Sequence, residues 1–261
     1  MHFRQLTIFL AALAATIFTA AAQAPAQADS AATVVFLGDS NTWIGGDDCS
    51  KPRGWNHAFA AAHPQWHCRS YARSGATWAN TPRTRVNTVE DIGVLGDDNV
   101  VYNQTIRLAD AIADGSQLQP DIIFISAGAN DAWFASKRPQ ALSQTPAQAL
   151  ASAMPTAPDK ALSIAQSVRL AIAEIRKTCP DARIVLLTPF HMKSVPQARI
   201  TAVGEMLEDC AAAYSLEYVR QDIGSGIDGR ATDPATTYDG NHTNELGARI
   251  LAEFIDSKIK R

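Results

Sequence analysis

The sequence predicts an α/β fold in which helices cover both faces of an open, doubly wound parallel sheet. Past residue 30, short β-branched runs alternate with stretches of helical periodicity. The runs are apolar almost throughout, which is typical of strands that are buried on both faces. Because helices separate successive strands, we expect right-handed crossovers. The chain of 261 residues is long enough for one such domain, and nothing in it indicates a second.

Five runs are the predicted strands. The first, TVVFL, and the fourth, RIVLL, are nearly continuous apolar runs. The third, DIIFIS, follows a proline, whereas the second is weaker and the fifth is short. In chain order the strands are predicted at Thr33–Leu37, Trp66–Ala72, Asp121–Ser126, Arg183–Leu187 and Leu216–Val219.

Helices are predicted between these strands and after the last one. Val100–Asp114 has apolar residues at helical spacing and ends before Gly115, a typical C-cap residue. Lys160–Lys177 is amphipathic and is stopped by Pro180. The remaining predicted helices are Gly54–Ala62, Ala198–Tyr214 and Thr243–Lys258.

Two long stretches are predicted as loops. Asn80–Asn99 is polar and rich in turn residues, and Ser136–Asp159 holds four of the 13 prolines. Loops of this length are usually functional lids or rims, and otherwise linkers.

Composition and net charge indicate which classes of binding partner the protein can have. Hydrophobic residues make up 46% of the chain and charged residues 19%, which is ordinary for a globular protein. The formal net charge is -3, and Lys and Arg are scattered. We therefore expect no nucleic-acid partner.

The N-terminal 28 residues have the pattern of a secretory signal. Arg4 precedes an apolar run from Leu6 to Ala22, and the small-residue sequence Ala26-Gln27-Ala28 follows. We expect cleavage near Ala28, a mature domain of residues 29–261, and a periplasmic or secreted protein. The alternative is an uncleaved anchor, but the run is shorter than the ~20 strongly apolar residues of a span. No later segment is apolar and long enough to cross a membrane.

The four cysteines fit an exported protein, because an even number in an oxidising compartment can form disulfides. We predict the pairs Cys49–Cys68 and Cys179–Cys210, since each pair brackets a local helix-and-strand stretch. The alternative is four buried thiols. The sequence has no C-x-x-C motif, so it predicts no metal site and no cofactor.

Four short segments carry the polar residues of a candidate site. Gly38-Asp39-Ser40-Asn41 follows the first strand, Ser74-Gly75-Ala76 the second and Gly128-Ala129-Asn130-Asp131 the third. Asp239-Gly240-Asn241-His242 precedes the last helix. In an open parallel sheet, ligands bind beyond the carboxyl ends of the strands. We expect the four segments to build one site there.

Ser40 is the candidate nucleophile. A serine hydroxyl needs a neighbouring base, which His242 can supply, with Asp239 three residues before it to orient the imidazole. The alternative is that these residues are only helix caps and turns. The sequence contains no G-x-S-x-G, which argues against the α/β-hydrolase architecture.

Gly75 and Asn130 are candidate donors to an oxyanion, together with the N–H of Ser40. A glycine allows close approach of its backbone N–H to a ligand, and an asparagine supplies an amide N–H. The alternative for each is an ordinary turn or cap residue.

Together these segments resemble the four sequence blocks of the SGNH, or GDSL, hydrolases, in order and in placement after the strands. The resemblance spans nearly the whole mature chain. It implies a flavodoxin-like three-layer α/β/α fold and esterase, lipase or deacetylase activity without a metal. By motif match it implies a triad and an oxyanion hole, the former made by Ser40, His242 and Asp239 and the latter by Ser40, Gly75 and Asn130.

The chain departs from the family pattern at two positions. Asn41 replaces the leucine of the GDSL motif, and Thr243 follows the histidine where proline is common. Both positions are peripheral to the predicted chemistry.

Three tryptophans follow the candidate segments at one spacing: Trp43, Trp78 and Trp133 each lie three residues after a candidate site residue. We expect them to rim the crevice, because flat apolar walls suit sugar rings or an acyl chain. The alternative is packing into the core. Arg73 and His191 are further candidates for substrate contact, although Arg73 also fits a solvated loop position.

These observations predict a serine esterase that removes a short acyl group, acetyl above all, from a carbohydrate. An acyl-chain hydrolase, such as a lysophospholipase or thioesterase, is the first alternative. A non-catalytic carbohydrate- or phosphate-binding module is the second, since strand ends that meet helix N-termini also bind anions.

Overall fold

The computed structural model describes residues 31–259, which form a five-stranded sheet between helices. The sheet order is β2-β1-β3-β4-β5, and every neighbouring pair is parallel. This arrangement confirms the predicted fold class. The strands are β1 (Thr33–Gly38), β2 (His67–Ser70), β3 (Ile122–Ser126), β4 (Arg183–Leu187) and β5 (Glu217–Val219).

Helices lie on both sides of this sheet. They are α1 (Ser40–Trp43), α2 (Trp55–Ala62), α3 (Val101–Ala113), α4 (Ala129–Trp133), α5 (Pro146–Ala151), α6 (Ile164–Thr178), α7 (Gln197–Tyr214) and α8 (Glu245–Lys258). Helix α2 packs against α8, whereas α3, α6 and α7 form a separate packed row. Crossovers that contain helices are what parallel strands require, so the alternation of the sequence leads directly to this layering.

The core lies on the central strands. All residues of β1 and β3 are buried. Phe36 of β1 lies 5.1 to 5.9 Å, between ring centroids, from Trp55, Phe59 and Phe124. Burial of each such ring stabilises the fold by about 1.5–3 kcal/mol. This aromatic cluster fixes α2 on the sheet.

The topology positions the candidate segments. The chain passes from β1 to β2 on one side of the sheet and from β3 to β4 on the other, so the direction of the connections reverses between β1 and β3. Ligands of open α/β sheets bind at such a switch point, beyond the carboxyl ends of the strands. Ser40 follows β1 there, flanked by the segments that follow β2 and β3.

The predicted strands and helices are present, and they differ from the predictions mainly in where each one begins or ends. Helix α6 begins at Ile164 rather than Lys160, because the Ser163 side chain caps it by accepting from the Gln166 N–H at 3.2 Å. The predicted loop 136–159 contains α5, which begins with a capping box between Thr145 and Gln148.

The predicted disulfides are not formed: all four cysteines are free thiols, and Cys49, Cys179 and Cys210 are buried. Burial raises the pKa of Cys49 and of Cys210 to about 12. These thiols therefore stay protonated at neutral pH and pack as small apolar side chains, which was the alternative reading of the sequence.

The predicted signal segment, residues 1–28, lies outside the described residues. From residue 31 to residue 259, no helix is both long and apolar enough to cross a membrane.

Candidate active site

The hydroxyl of Ser40 and the imidazole of His242 are in hydrogen-bond contact. Ser40 Oγ lies 3.0 Å from His242 Nε2, across 202 positions of the chain. His242 Nδ1 lies 2.7 Å from Asp239 Oδ2. The structure thus brings together the hydroxyl, the imidazole and the carboxylate that the sequence predicts as nucleophile, base and orienting group.

Asp239 holds the histidine loop as well as the imidazole. Its Oδ1 accepts from the N–H groups of Asn241 and His242, both at 2.8 Å. Burial raises the pKa of Asp239, but the bonds from His242 and from these two N–H groups outweigh burial and hold the pKa below its usual range. The carboxylate is therefore ionised at neutral pH, as stabilisation of an imidazolium requires.

Ser40 is positioned by a turn that only glycine fits. At Gly38, with φ +148°, a Cβ would lie 2.1 Å from the carbonyl oxygen of Ser126 on β3. The side chain of Gln104 accepts from the Gly38 N–H at 2.7 Å and donates to its carbonyl at 2.8 Å. This contact between α3 and the end of β1 fixes the chain just before the serine.

Asp39 caps the short helix that begins with Ser40. Its Oδ1 accepts from the Asn41 N–H at 3.1 Å. The carboxyl group is buried, and burial raises its pKa from 3.8 to about 7, against the opposing effects of the Asn41 N–H and of His242. A largely dehydrated carboxyl group therefore lies next to Ser40 in the sequence.

The three groups predicted as oxyanion donors have N–H hydrogens that remain unpaired within residues 31–259. Within residues 31–259, neither the Ser40 N–H nor the Gly75 N–H donates to another protein group. Asn130 donates one amide hydrogen to the carbonyl of Ala76 at 2.9 Å, which leaves its second hydrogen for a ligand.

Asp131 ties the second segment to the third. Its carboxylate accepts from the N–H groups of Trp78 and Ala79, both at 2.9 Å. Burial raises the pKa of this carboxyl group, and the two N–H groups oppose that effect. Asn130 and Asp131 together therefore fix the loop of Gly75 relative to α4.

The predicted loop 80–99 is held beside Gly75. Asn99 donates to the carbonyl of Ser74 at 2.7 Å. A Cβ at Gly75 would lie 2.6 Å from Val94 Cγ1, so Val94 contacts this glycine, and the side chain of Val94 is 66% exposed. The loop thus places an exposed aliphatic side chain beside Gly75, a contact that the sequence did not reveal.

The expectation that three tryptophans rim the crevice is wrong for Trp78. Its side chain is only 1% exposed and belongs to the core, because Asp131 draws the backbone of Trp78 inward. Trp133 is partly buried, packs on the core and stacks on Phe134. Trp43, in contrast, is 44% exposed on α1.

The two further candidates for substrate contact differ. Arg73 is 7% exposed and its guanidinium pairs with Asp47 at 2.9 Å and with Glu90 at 3.4 Å, so it is not a solvated loop residue and its charge is already paired with two carboxylates. His191 follows β4, and its Nε2 is buried without a hydrogen-bond partner among residues 31–259.

Tyr238 was not singled out from the sequence. Its ring stacks on the imidazole of His242 with centroids 5.8 Å apart and an interplanar angle of 17°, and it is 49% exposed. The available signal was an aromatic residue directly before Asp239. Tyr238 and Trp43 are thus exposed aromatic side chains close in sequence to the histidine and the serine.

No group of three or more metal-ligating side chains occurs in the described part of the chain. Ser40, His242 and Asp239 place a hydroxyl, an imidazole and a carboxylate within hydrogen-bond distance of one another. Such a set of groups can transfer an acyl group from an ester to water.

Comparison with known proteins agrees with this geometry. The family model of the GDSL-like Lipase/Acylhydrolase family matches residues 36–250. A search of curated proteins returns no match.

Solved structures share the fold at low sequence identity. One is a "possible lipase" from Chitinophaga pinensis, with TM-score 0.59 and 14% identity over 87% of this chain and 96% of that chain. Another is the lipase/acylhydrolase from Enterococcus faecalis, with TM-score 0.51 and 19% identity over 87% of this chain and 95% of that one. At these identities the likeness concerns the fold alone.

Proposed function

The chain belongs to the GDSL-like lipase/acylhydrolase family, and we propose that it hydrolyses carboxylic esters with a triad of Ser40, His242 and Asp239. The contact between Ser40 Oγ and His242 Nε2 at 3.0 Å carries this proposal, because it makes the serine a usable nucleophile. The 2.7 Å contact to Asp239 supports the role of His242 as a base.

The reaction proceeds in two halves. His242 takes the proton of Ser40 as its oxygen attacks the ester carbonyl, and then gives that proton to the departing alcohol. Asp239 stabilises the imidazolium in between. Water, activated by the same histidine, then attacks the acyl-enzyme and releases the acid.

The oxyanion of each tetrahedral intermediate is stabilised by the N–H groups of Ser40 and Gly75 and by the Asn130 amide. The free state of both N–H groups and the anchored amide support these roles. Loss of one such donor typically lowers turnover by about 10²–10³-fold.

For the substrate, we propose an acetylated carbohydrate that an exported enzyme, periplasmic or secreted, meets outside the cytoplasm. Trp43 supports it, because an exposed aromatic ring suits the face of a sugar ring. An acyl-chain ester is the second candidate, favoured by the exposed aliphatic side chain of Val94 beside Gly75.

The decisive test is Ser40→Ala, assayed with p-nitrophenyl acetate. We expect activity to fall by at least about 10³-fold, because the nucleophile is removed. Ser50→Ala, which changes an exposed serine outside the site, is the matched control and should keep wild-type activity. Full activity of Ser40→Ala, or organophosphate labelling of a residue other than Ser40, would refute the assignment.

A second assay separates the substrate classes. Acetylated oligosaccharides are compared with a chain-length series of simple esters. Higher kcat/KM on the oligosaccharides supports the carbohydrate esterase, and a preference that rises with chain length supports the acyl-chain hydrolase. Binding of a carbohydrate without turnover would indicate the non-catalytic module instead.

A further inference from the structure

The side chain of Asn41 joins the two segments that carry the serine and the histidine. Its Nδ2 donates to the carbonyl of Asn241 at 3.2 Å, and its Oδ1 accepts from the N–H of Thr243 at 3.4 Å. These two backbone groups lie immediately before and after His242. We propose that Asn41 is a positioning residue, whose amide holds the backbone of His242 in register with Ser40.

The contacts are shielded from water. Asn41, Asn241 and Thr243 are all buried. In a buried setting a hydrogen bond meets little competition from solvent, and an unpaired polar group is costly. The Asn41 amide therefore strongly prefers this one orientation. In that orientation it holds the loop of His242 in place.

Other anchors fix the same loop from different sides. The Thr243 hydroxyl donates to the carbonyl of Arg53 at 2.7 Å, and the Ser194 N–H donates to Asn241 Oδ1 at 3.1 Å. Neither of these anchors reaches α1, where Ser40 lies. Asn41 is directly bonded to Ser40 in the chain, so its amide relates the histidine loop to the nucleophile itself.

The chemistry of the amide explains why an asparagine serves here. One planar group offers a donor, Nδ2, and an acceptor, Oδ1, on the same carbon, which matches a carbonyl and an N–H two residues apart. Leucine at position 41 would leave both backbone groups buried without a partner. Aspartate would keep an acceptor for Thr243 but lose the donor to Asn241.

The inference rests on the proposed function, since it assigns to Asn41 the placing of the base. Asn41 is buried beneath the loop and is assigned no contact with substrate. A displaced imidazole slows proton transfer, whereas binding of the ester is unchanged. The loss should therefore appear in kcat and not in KM.

The test compares Asn41→Leu with Asn80→Leu, assayed with p-nitrophenyl acetate. Asn80 is also buried, and its amide donates to the Ala161 carbonyl at 2.8 Å and to Ser167 Oγ at 3.0 Å, away from the histidine loop. For Asn41→Leu we expect kcat to fall about 10–100-fold with KM within about twofold. For Asn80→Leu we expect a lower thermal midpoint and kcat within about twofold of wild type.

Labelling by a fluorophosphonate supplies a second readout, because its rate depends on activation of Ser40 and not on release of product. It should slow in Asn41→Leu by the same factor as kcat. If Asn41→Leu fails to fold, Asn41→Asp replaces it. Its kcat should fall below that of wild type but by less than the factor expected for Asn41→Leu, because aspartate keeps one of the two contacts.

Wild-type kcat in a folded Asn41 variant overturns the inference, and so does a rise in KM with kcat unchanged, which would mark a substrate contact. The outcome is separable from the proposed function. If Ser40→Ala is inactive and Asn41→Leu is not impaired, only the positioning role fails. If Ser40→Ala retains activity, both fail.

Discussion

Removal of the buried carboxyl group of Asp39, which precedes Ser40, should change the pH dependence of the free energy of unfolding. The substitution Asp39→Asn keeps a side-chain oxygen that can accept from the Asn41 N–H, so the cap of α1 is retained. It removes the group whose pKa burial raises from 3.8 to about 7. The comparison of Asp39→Asn with wild type therefore measures the effect of Asp39 ionisation on stability while the helix cap is kept.

The direction in which stability changes with pH follows from the state that binds the Asp39 proton more tightly. Folded Asp39 holds its proton more tightly than the unfolded chain, so the unfolded state is favoured as the pH rises between about 4 and about 7. At about 1.4 kcal/mol for each pH unit, this window corresponds to a loss of about 4 kcal/mol in the wild type. Below pH 4 the group is protonated in both states and contributes nothing.

Urea unfolding at pH values from 4 to 8 measures this effect. We expect the free energy of unfolding of Asp39→Asn, relative to wild type, to rise by about 4 kcal/mol across that range. Asp48→Asn is the control, because Asp48 is fully exposed and its pKa is lowered by Ser50. It should reproduce the wild-type profile around neutrality. Parallel curves for Asp39→Asn and wild type would refute the reasoning.

Two further predictions concern the rim of the site. Gly75→Ala should lower kcat about 10–100-fold and lower the thermal midpoint, because φ is +81° and a Cβ would lie 2.6 Å from Val94 Cγ1. Gly93→Ala is the control, since a Cβ there meets nothing within 4 Å, and equal kcat in both variants would contradict this account. Val94→Phe should depress kcat/KM more for p-nitrophenyl octanoate than for the acetate, because the larger ring narrows the space beside Gly75. Val89→Phe, at another exposed position of the same loop, should leave that ratio unchanged, and an unchanged ratio in Val94→Phe would dismiss Val94 as a specificity residue.

Much of the architecture was predictable because it depends on local patterns. The apolar runs specified the strands, and Arg183–Leu187 matches its predicted bounds. The short helices α1 and α4 were not predicted as elements, since four or five residues carry no detectable periodicity. Helix α5 was missed because its prolines and alanines resemble a loop, although proline is well suited to the first helical turn.

The reactive side chains of the candidate site could be predicted from the sequence. The long-range contacts that hold them in place could not. Ser40 and His242 were identified from their chemistry, and the structure brings them into contact. The regular spacing of the tryptophans was misleading, because burial of Trp78 depends on a long-range contact with Asp131. Asn41 was judged peripheral because a sequence does not show which backbone groups lie opposite a side chain.

The distance of 202 positions between the contacting serine and histidine has a consequence for how the protein acquires its activity. Ser40 follows the first strand, whereas His242 lies just before α8, which packs on α2. The contact between the two side chains therefore exists only when these distant parts of the domain have met, and contacts so far apart in sequence are typical of slowly folding topologies. In a refolding experiment, regain of the proposed ester hydrolysis reports this long-range contact, which far-ultraviolet circular dichroism does not detect separately from helix and sheet content.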